Sequence, residues 1–199
     1  MKTILISGFL GSGKTTLALE LARLLKRDGV RTALVINEVG EVGIDADLFA
    51  GEDRSQLFEI FSGCVCCQVG SDLVETLKSI DADESVQWAI IEPSGVAYTS
   101  QILDTIGYWN EDAHVVQIVL IDGPRLPSLI EHLDNLIRDS LHSANIIVVS
   151  KEDLMDPAST NEVFRRVDDL APGVPVISGD LLRDAPRVAS EVFTRFVSS

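Results

Sequence analysis

The chain has 199 residues, 46% of them hydrophobic, and a mean hydropathy of +0.22, which suits one packed domain and excludes disorder. With 16 basic residues against 31 acidic, its net charge of −15 repels a polyphosphate backbone and argues against nucleic acid as a partner. No apolar stretch reaches membrane-spanning length, and the apolar run before Gly8 is too short for a signal peptide, so the expectation is a cytoplasmic protein with no membrane partner.

Taken in chain order, residues 3–7 read as a first strand. Residues 14–27 carry Leu17, Leu21, Leu24 and Leu25 at helical spacing, with Gly29 placed to end that helix. Residues 32–37 predict a second, buried strand, and residues 38–55, rich in Gly and Asp, a long functional loop. A short strand over 56–61 and a short helix over 72–80 follow. Residues 86–91, 114–121 and 145–149 are mostly apolar and predict further buried strands, with helices over about 99–106 and 126–140 between them. Residues 174–177 close the sheet, and 180–196 form a last amphipathic helix despite Pro186. Apolar strands separated by helices imply a mostly parallel sheet with helices on both faces. The expectation is therefore a three-layer α/β fold, a single domain over residues 1–199 with no repeat or linker.

The most informative segment is Gly8-Phe9-Leu10-Gly11-Ser12-Gly13-Lys14-Thr15, which fits G-x-x-x-x-G-K-[ST] at every fixed position. It lies between a predicted strand and a predicted helix, the context that a phosphate-binding loop requires. Gly8, Gly11 and Gly13 let the backbone curl so that successive N–H groups form a concave anion nest. The helix dipole adds to it, Lys14 reaches the β- and γ-phosphates, and the Thr15 hydroxyl suits Mg²⁺. The expected ligand is a nucleoside triphosphate, and the expected fold a P-loop NTPase.

The base is read from Ser150-Lys151-Glu152-Asp153, at the end of a predicted strand. Asp153 can accept two hydrogen bonds from the N1–H and N2–H₂ edge of guanine, whereas adenine offers an acceptor there and leaves the carboxylate unpaired. The stem of Lys151 can lie over the base, and the segment resembles the Asn-Lys-x-Asp guanine signature, with Ser150 in place of Asn. Ser178-Gly179, just past the last predicted strand, can bring a backbone N–H near the guanine O6.

A second cluster is Gly63-Cys64-Val65-Cys66-Cys67, which holds all three cysteines of the chain. Three thiols within four residues offer soft ligands to Zn²⁺ or a similar late metal. No fourth Cys or paired His is at hand, since His114, His132 and His142 are scattered. Three ligands and an open position suit transient holding of an ion; the other reading is three small buried hydrophobes. Among the acids, Glu92 ends a predicted strand where it can hold Mg²⁺, and Asp122 is a weaker candidate of the same kind. Glu38, Glu41, Asp45 and Asp47 are Mg²⁺-linked, metal-linked or solvated, and spacing does not choose among these. No water-positioning residue can be named, and with no obvious Gln or arginine finger the intrinsic rate should be slow.

Residues 8–16 (through Thr16), Asn37-Glu38-Val39-Gly40-Glu41-Val42-Gly43-Ile44-Asp45, the Cys cluster, Glu92-Pro93-Ser94-Gly95 and Ser150-Lys151-Glu152-Asp153 occur in one order. In that order the chain resembles the CobW-like (cobalamin synthesis protein) metal-chaperone GTPases, relatives of the urease and hydrogenase nickel-insertion GTPases, over residues 1 to about 179. The resemblance implies GTP-dependent delivery of Zn²⁺, Co²⁺ or Ni²⁺, or of a metal cofactor, to a client metalloprotein or corrinoid protein. It implies GTP/GDP and Mg²⁺ at the nucleotide site, Glu38 and Glu41 in a first switch, Glu92 opening the second, and a possible homodimer. Two departures stand out: Ser150 replaces Asn, and only 22 residues follow Ile177, where the family usually has a further domain. Two other classes stay open, a switch that regulates a partner without delivering an ion, and a small-molecule kinase. The kinase would want a lid of clustered arginines, and residues 99–145 offer only Arg125 and Arg138.

Overall fold

The computed structural model describes residues 1–36, 57–59 and 69–197. Strand and helix alternate in the order β1 (Lys2–Gly8), α1 (Lys14–Arg27), β2 (Thr32–Ile36), β3 (Leu57–Glu59), α2 (Val69–Asp81), β4 (Trp88–Glu92), α3 (Thr99–Trp109), β5 (Val115–Asp122), α4 (Leu126–His142), β6 (Ile146–Ser150), α5 (Pro157–Leu170), β7 (Val176–Gly179) and α6 (Ala185–Val192). Among the described residues the strands form one sheet in the order β3-β2-β4-β1-β5-β6-β7, every pairing parallel.

The pleat explains why the middle of these strands is apolar on both faces. Ile4, Ile6, Ile90, Ile118, Leu120, Ile146 and Val148 point to one face, where they pack with Leu17, Leu21 and Leu25 of α1 and Val188 and Val192 of α6. Their neighbours point the other way. Leu5, Val35 and Ile91 meet Leu73, Leu77, Ile102 and Ile106 of α2 and α3, while Val119, Ile121, Ile147 and Val149 meet Leu129, Ile137, Val163 and Val167 of α4 and α5. A strand covered on both faces cannot alternate, and each fully buried Leu or Ile contributes about 1.5–3 kcal/mol. The expected three layers are present.

Strand order places the site. β1 is flanked by β4 and β5, with Leu5 beside Ile91 and Gly8 beside Leu120. The carboxyl ends of these three strands, at Gly8, Glu92 and Asp122, therefore open on one crevice, where ligands of parallel α/β sheets collect.

Several boundaries differ from expectation for physical reasons. The helix α5 has no counterpart in the sequence reading, although its start signal is present: the Asp156 carboxylate accepts from the N–H of Ala158 and of Ser159 at 2.9 and 3.0 Å, and Pro157 takes the first turn. The last helix begins at Ala185, not at 180, so Pro186 falls in its first turn, where no N–H is needed. Phe193–Val197 then widens to a π turn. The strand expected over 174–177 is Val176–Gly179, so Ser178 lies in the sheet beside Val149, not beyond it. The loop 38–55 and the cysteine cluster lie outside the described residues.

Candidate nucleotide site

Gly13 caps α1 with φ 99°, in the left-handed region, and a Cβ there would sit 2.6 Å from Cδ1 of Leu181. Only glycine meets both demands. Lys14 is the first residue of α1, is buried, and donates from Nζ to the Phe9 carbonyl at 3.3 Å, so its ammonium folds back over the loop. Burial pushes its pKa below the ordinary lysine value, while the charge of Glu92 pulls it back up. Gly8, Gly11, Ser12 and Gly13 complete the loop between β1 and α1, and Thr15 and Thr16 continue into the helix.

Thr15 Oγ1 donates to Glu92 Oε1 at 2.9 Å, joining α1 to the end of β4 across 77 residues of sequence. Glu92 is buried. A hydroxyl and a buried carboxylate side by side at a phosphate loop form the hard oxygen donor set that Mg²⁺ takes, so the residues present fit that ion. The segment after Glu92 lies directly on the loop: a Cβ on Gly95 would stand 2.6 Å from the Leu10 nitrogen and 3.1 Å from the Phe9 carbonyl carbon. Position 95 has no room for a side chain.

On the other flank, β5 ends at Asp122, which is 1% exposed. Its Oδ2 accepts from Lys151 Nζ at 2.7 Å, and Oδ1 has no hydrogen-bond partner. Asp122, the weaker candidate beside Glu92, is thereby engaged by Lys151 through one of its two oxygens. The Lys151 backbone is left-handed, with φ 60°. That turn ends β6 and starts a short 3₁₀ segment, Glu152–Leu154, which presents an exposed Asp153. Ser150 is buried, and its hydroxyl donates to the Ile121 carbonyl at 3.2 Å, tying β6 to β5 just below the base loop. The Ser178 carbonyl accepts from Arg187 Nη2 at 3.1 Å.

Sequence reasoning did not assign Arg125 to the nucleotide site. It ends the 3₁₀ turn Gly123–Arg125 after β5, and its Nη1 donates to the Leu10 carbonyl at 2.9 Å. An arginine just past a strand end in the right layer was the available signal. Cys64, Cys66, Cys67, Glu38, Glu41, Asp45 and Asp47 lie outside the described residues. Among the described residues no group of three His, Cys, Asp or Glu side chains is placed to hold a metal, and no helix is long and apolar enough to cross a membrane.

Residues 2–178 match the family model for the CobW/HypB/UreG nucleotide-binding domain. The chain is 37% identical over 168 residues to the zinc chaperone YeiR of Escherichia coli, an alignment that covers 82% of this chain and 50% of that protein. Among solved structures, nickel-bound HypB of Helicobacter pylori superposes with a TM-score of 0.68 at 16% identity, covering 100% of this chain and 86% of that one. Zn(II)-bound YjiA GTPase of E. coli gives 0.62 at 21% identity, covering 94% and 62%. Both likenesses speak for the fold. The chain spans about half the length of the curated relatives it matches. By its phosphate loop, its strand order and the match over nearly its whole length, this chain belongs to the CobW/HypB/UreG family.

Proposed function

We propose that the chain binds and slowly hydrolyses GTP and uses the cycle to hand a metal ion, zinc foremost, to a client protein. The observation that carries the nucleotide half is the hydrogen bond from Thr15 to the buried Glu92 beside Lys14, on the same sheet edge as Asp153. Lys14 holds the β- and γ-phosphates, the amides of residues 8–16 cradle them, and Thr15 and Glu92 hold Mg²⁺, which offsets phosphate charge when bound. Asp153 reads the guanine edge, and Lys151, clamped by Asp122, holds the turn from which Asp153 projects. Ser150 supports that turn from below, and Ser178 borders the base side of the crevice. The metal half rests on the relatives called zinc chaperones and on Cys64, Cys66 and Cys67, proposed as ligands of the delivered ion, with Co²⁺ and Ni²⁺ as the other candidates. The client, a metalloprotein or corrinoid protein, is met in the cytoplasm.

A nucleotide panel tests the base assignment. Asp153→Asn turns one acceptor oxygen into a donor, which suits xanthine better than guanine. GTP affinity is expected to fall roughly 10- to 100-fold, the range for a hydrogen bond to a charged group, while XTP affinity rises. Competition of ATP with GTP on equal terms in the wild-type protein would show that this segment does not read the base.

A further inference from the structure

We propose that Arg125 is the chain's own arginine for the γ-phosphate, a catalytic residue supplied from the turn after β5. The assignment rests on the GTPase reading above.

Two cationic heads sit on consecutive carbonyls of the phosphate loop: Lys14 Nζ on that of Phe9 at 3.3 Å, and Arg125 Nη1 on that of Leu10 at 2.9 Å. The lysine marks where the β- and γ-phosphates lie. The guanidinium reaches the same crest from the opposite flank. Its side chain is 53% exposed, so it can turn without breaking a packed core. Its base is firm. Pro124 lies within the 3₁₀ turn, and the space over Gly123 is filled by Met155, whose Cε would be 2.6 Å from an added Cβ. Asp122 Oδ2 stands 4.0 Å from Nη1 but is already paired at 2.7 Å with Lys151, so it orients the arginine without holding it fast.

A guanidinium carries five donors in a planar fork. A neutral carbonyl is a weak partner for it; the equatorial oxygens of a γ-phosphoryl group are anionic and fit the fork, and charge-assisted bonds are roughly twice as strong. When GTP fills the loop, Arg125 exchanges the Leu10 carbonyl for these oxygens. Water oxygen then bonds to the γ-phosphorus, the bond from phosphorus to the β–γ bridging oxygen breaks with its electron pair going to GDP, and the water proton passes to a phosphoryl oxygen and on to solvent. The products are GDP and inorganic phosphate. Arg125 forms no bond in this step; it stabilises the charge spread over the phosphoryl oxygens. In a chain of net charge −15, a cation at this point counters a field that otherwise opposes a polyanion.

The test is single-turnover GTP hydrolysis with Mg²⁺, alongside the affinities for GDP and for GDP with aluminium fluoride, on the full chain. For Arg125→Ala the hydrolysis rate should fall on the order of 10²- to 10³-fold, the usual loss for one preorganised donor. GDP affinity should stay within about twofold, and the aluminium fluoride complex should be lost. Arg125→Lys keeps the charge and loses the fork, so its rate should lie between the two. Hydrolysis at the wild-type rate in Arg125→Ala overturns the assignment. So does an equal loss of GDP affinity and rate, which would make the residue a strut between loops. Wild-type protein that neither binds nor hydrolyses GTP would instead sink the GTPase reading itself, and this assignment with it.

Discussion

Lys14→Ala should lower GTP turnover by on the order of 10³-fold while the nucleotide-free protein keeps its fold. The ammonium is the mobile charge that follows phosphate oxygens from ground state to transition state, and losing one such donor costs roughly 10²–10³ in rate; weaker GTP binding adds to this. Stability moves differently. Burial lowers the pKa of Lys14, so the unfolded chain holds that proton more tightly than the folded one. The buried charge is thus a cost to the empty protein at neutral pH. That cost fades as pH rises from the lowered folded value towards the ordinary lysine value. Lys14→Ala removes the cost, so the melting temperature of the nucleotide-free variant should equal or exceed that of the wild type at pH 7. Thermal melting and a single-turnover assay on the same preparation decide it. Wild-type turnover in a folded Lys14→Ala protein would show that this loop does not serve the γ-phosphate.

The second large effect concerns the metal. Replacing Cys64, Cys66 and Cys67 together with Ser should abolish tight Zn²⁺ binding, because serine hydroxyls stay protonated at neutral pH and are hard, poor ligands where thiolates are soft and strong. The cluster falls in sequence between residues 38–47 and Glu92, and the proposed delivery cycle requires that it answer to the γ-phosphate. By linkage, whatever factor GTP exerts on Zn²⁺ affinity, Zn²⁺ exerts on GTP affinity, typically 5- to 150-fold. In the wild type both factors should agree. In the triple variant both should collapse to one, with GTP binding in metal-free buffer unchanged. Thiols must lose protons to coordinate, so wild-type Zn²⁺ affinity should also weaken as pH falls below about 8. Stoichiometric zinc on the triple variant would place the ligands elsewhere. Zinc binding that ignores GTP, GDP and a non-hydrolysable analogue would favour a structural or sensing metal over delivery.

The elements that positioned the site were legible because they rest on short-range chemistry. A run such as Ile4-Leu5-Ile6 has one economical fate in a parallel sheet, and the Gly spacing before Lys14 admits few backbone paths. Other features turned on weaker or longer-range terms. The helix α5 is polar on most of its surface and buries few residues, chiefly Val163 and Val167, so its periodicity is faint and its best clue is the Asp156-Pro157 cap. Register decided Ser178: pairing of β7 with β6 extends the strand two residues beyond the apolar run. Asp122 and Glu92 are both acids at strand ends, set apart in the sequence only by the Pro93-Ser94-Gly95 that follows Glu92. Their roles separate only in three dimensions, where Lys151 reaches one and Thr15 the other. Arg125 was visible as an arginine, but its meeting with Leu10 spans 115 residues of sequence.

Those two acids have a consequence for how the site is loaded. Glu92 on β4 and Asp122 on β5 bracket β1, and both are buried at the crevice proposed to accept a triphosphate. Lys151 offsets the charge on one flank. On the other, Glu92 takes the Thr15 hydroxyl and feels the charge of Lys14, which offsets part of its negative field. On the proposed reading, a divalent ion arriving with GTP would add to Lys14 in offsetting the two carboxylates, and free GTP would bring no such charge. Under the proposed function, free nucleotide and its magnesium complex would then be, to this protein, two different molecules.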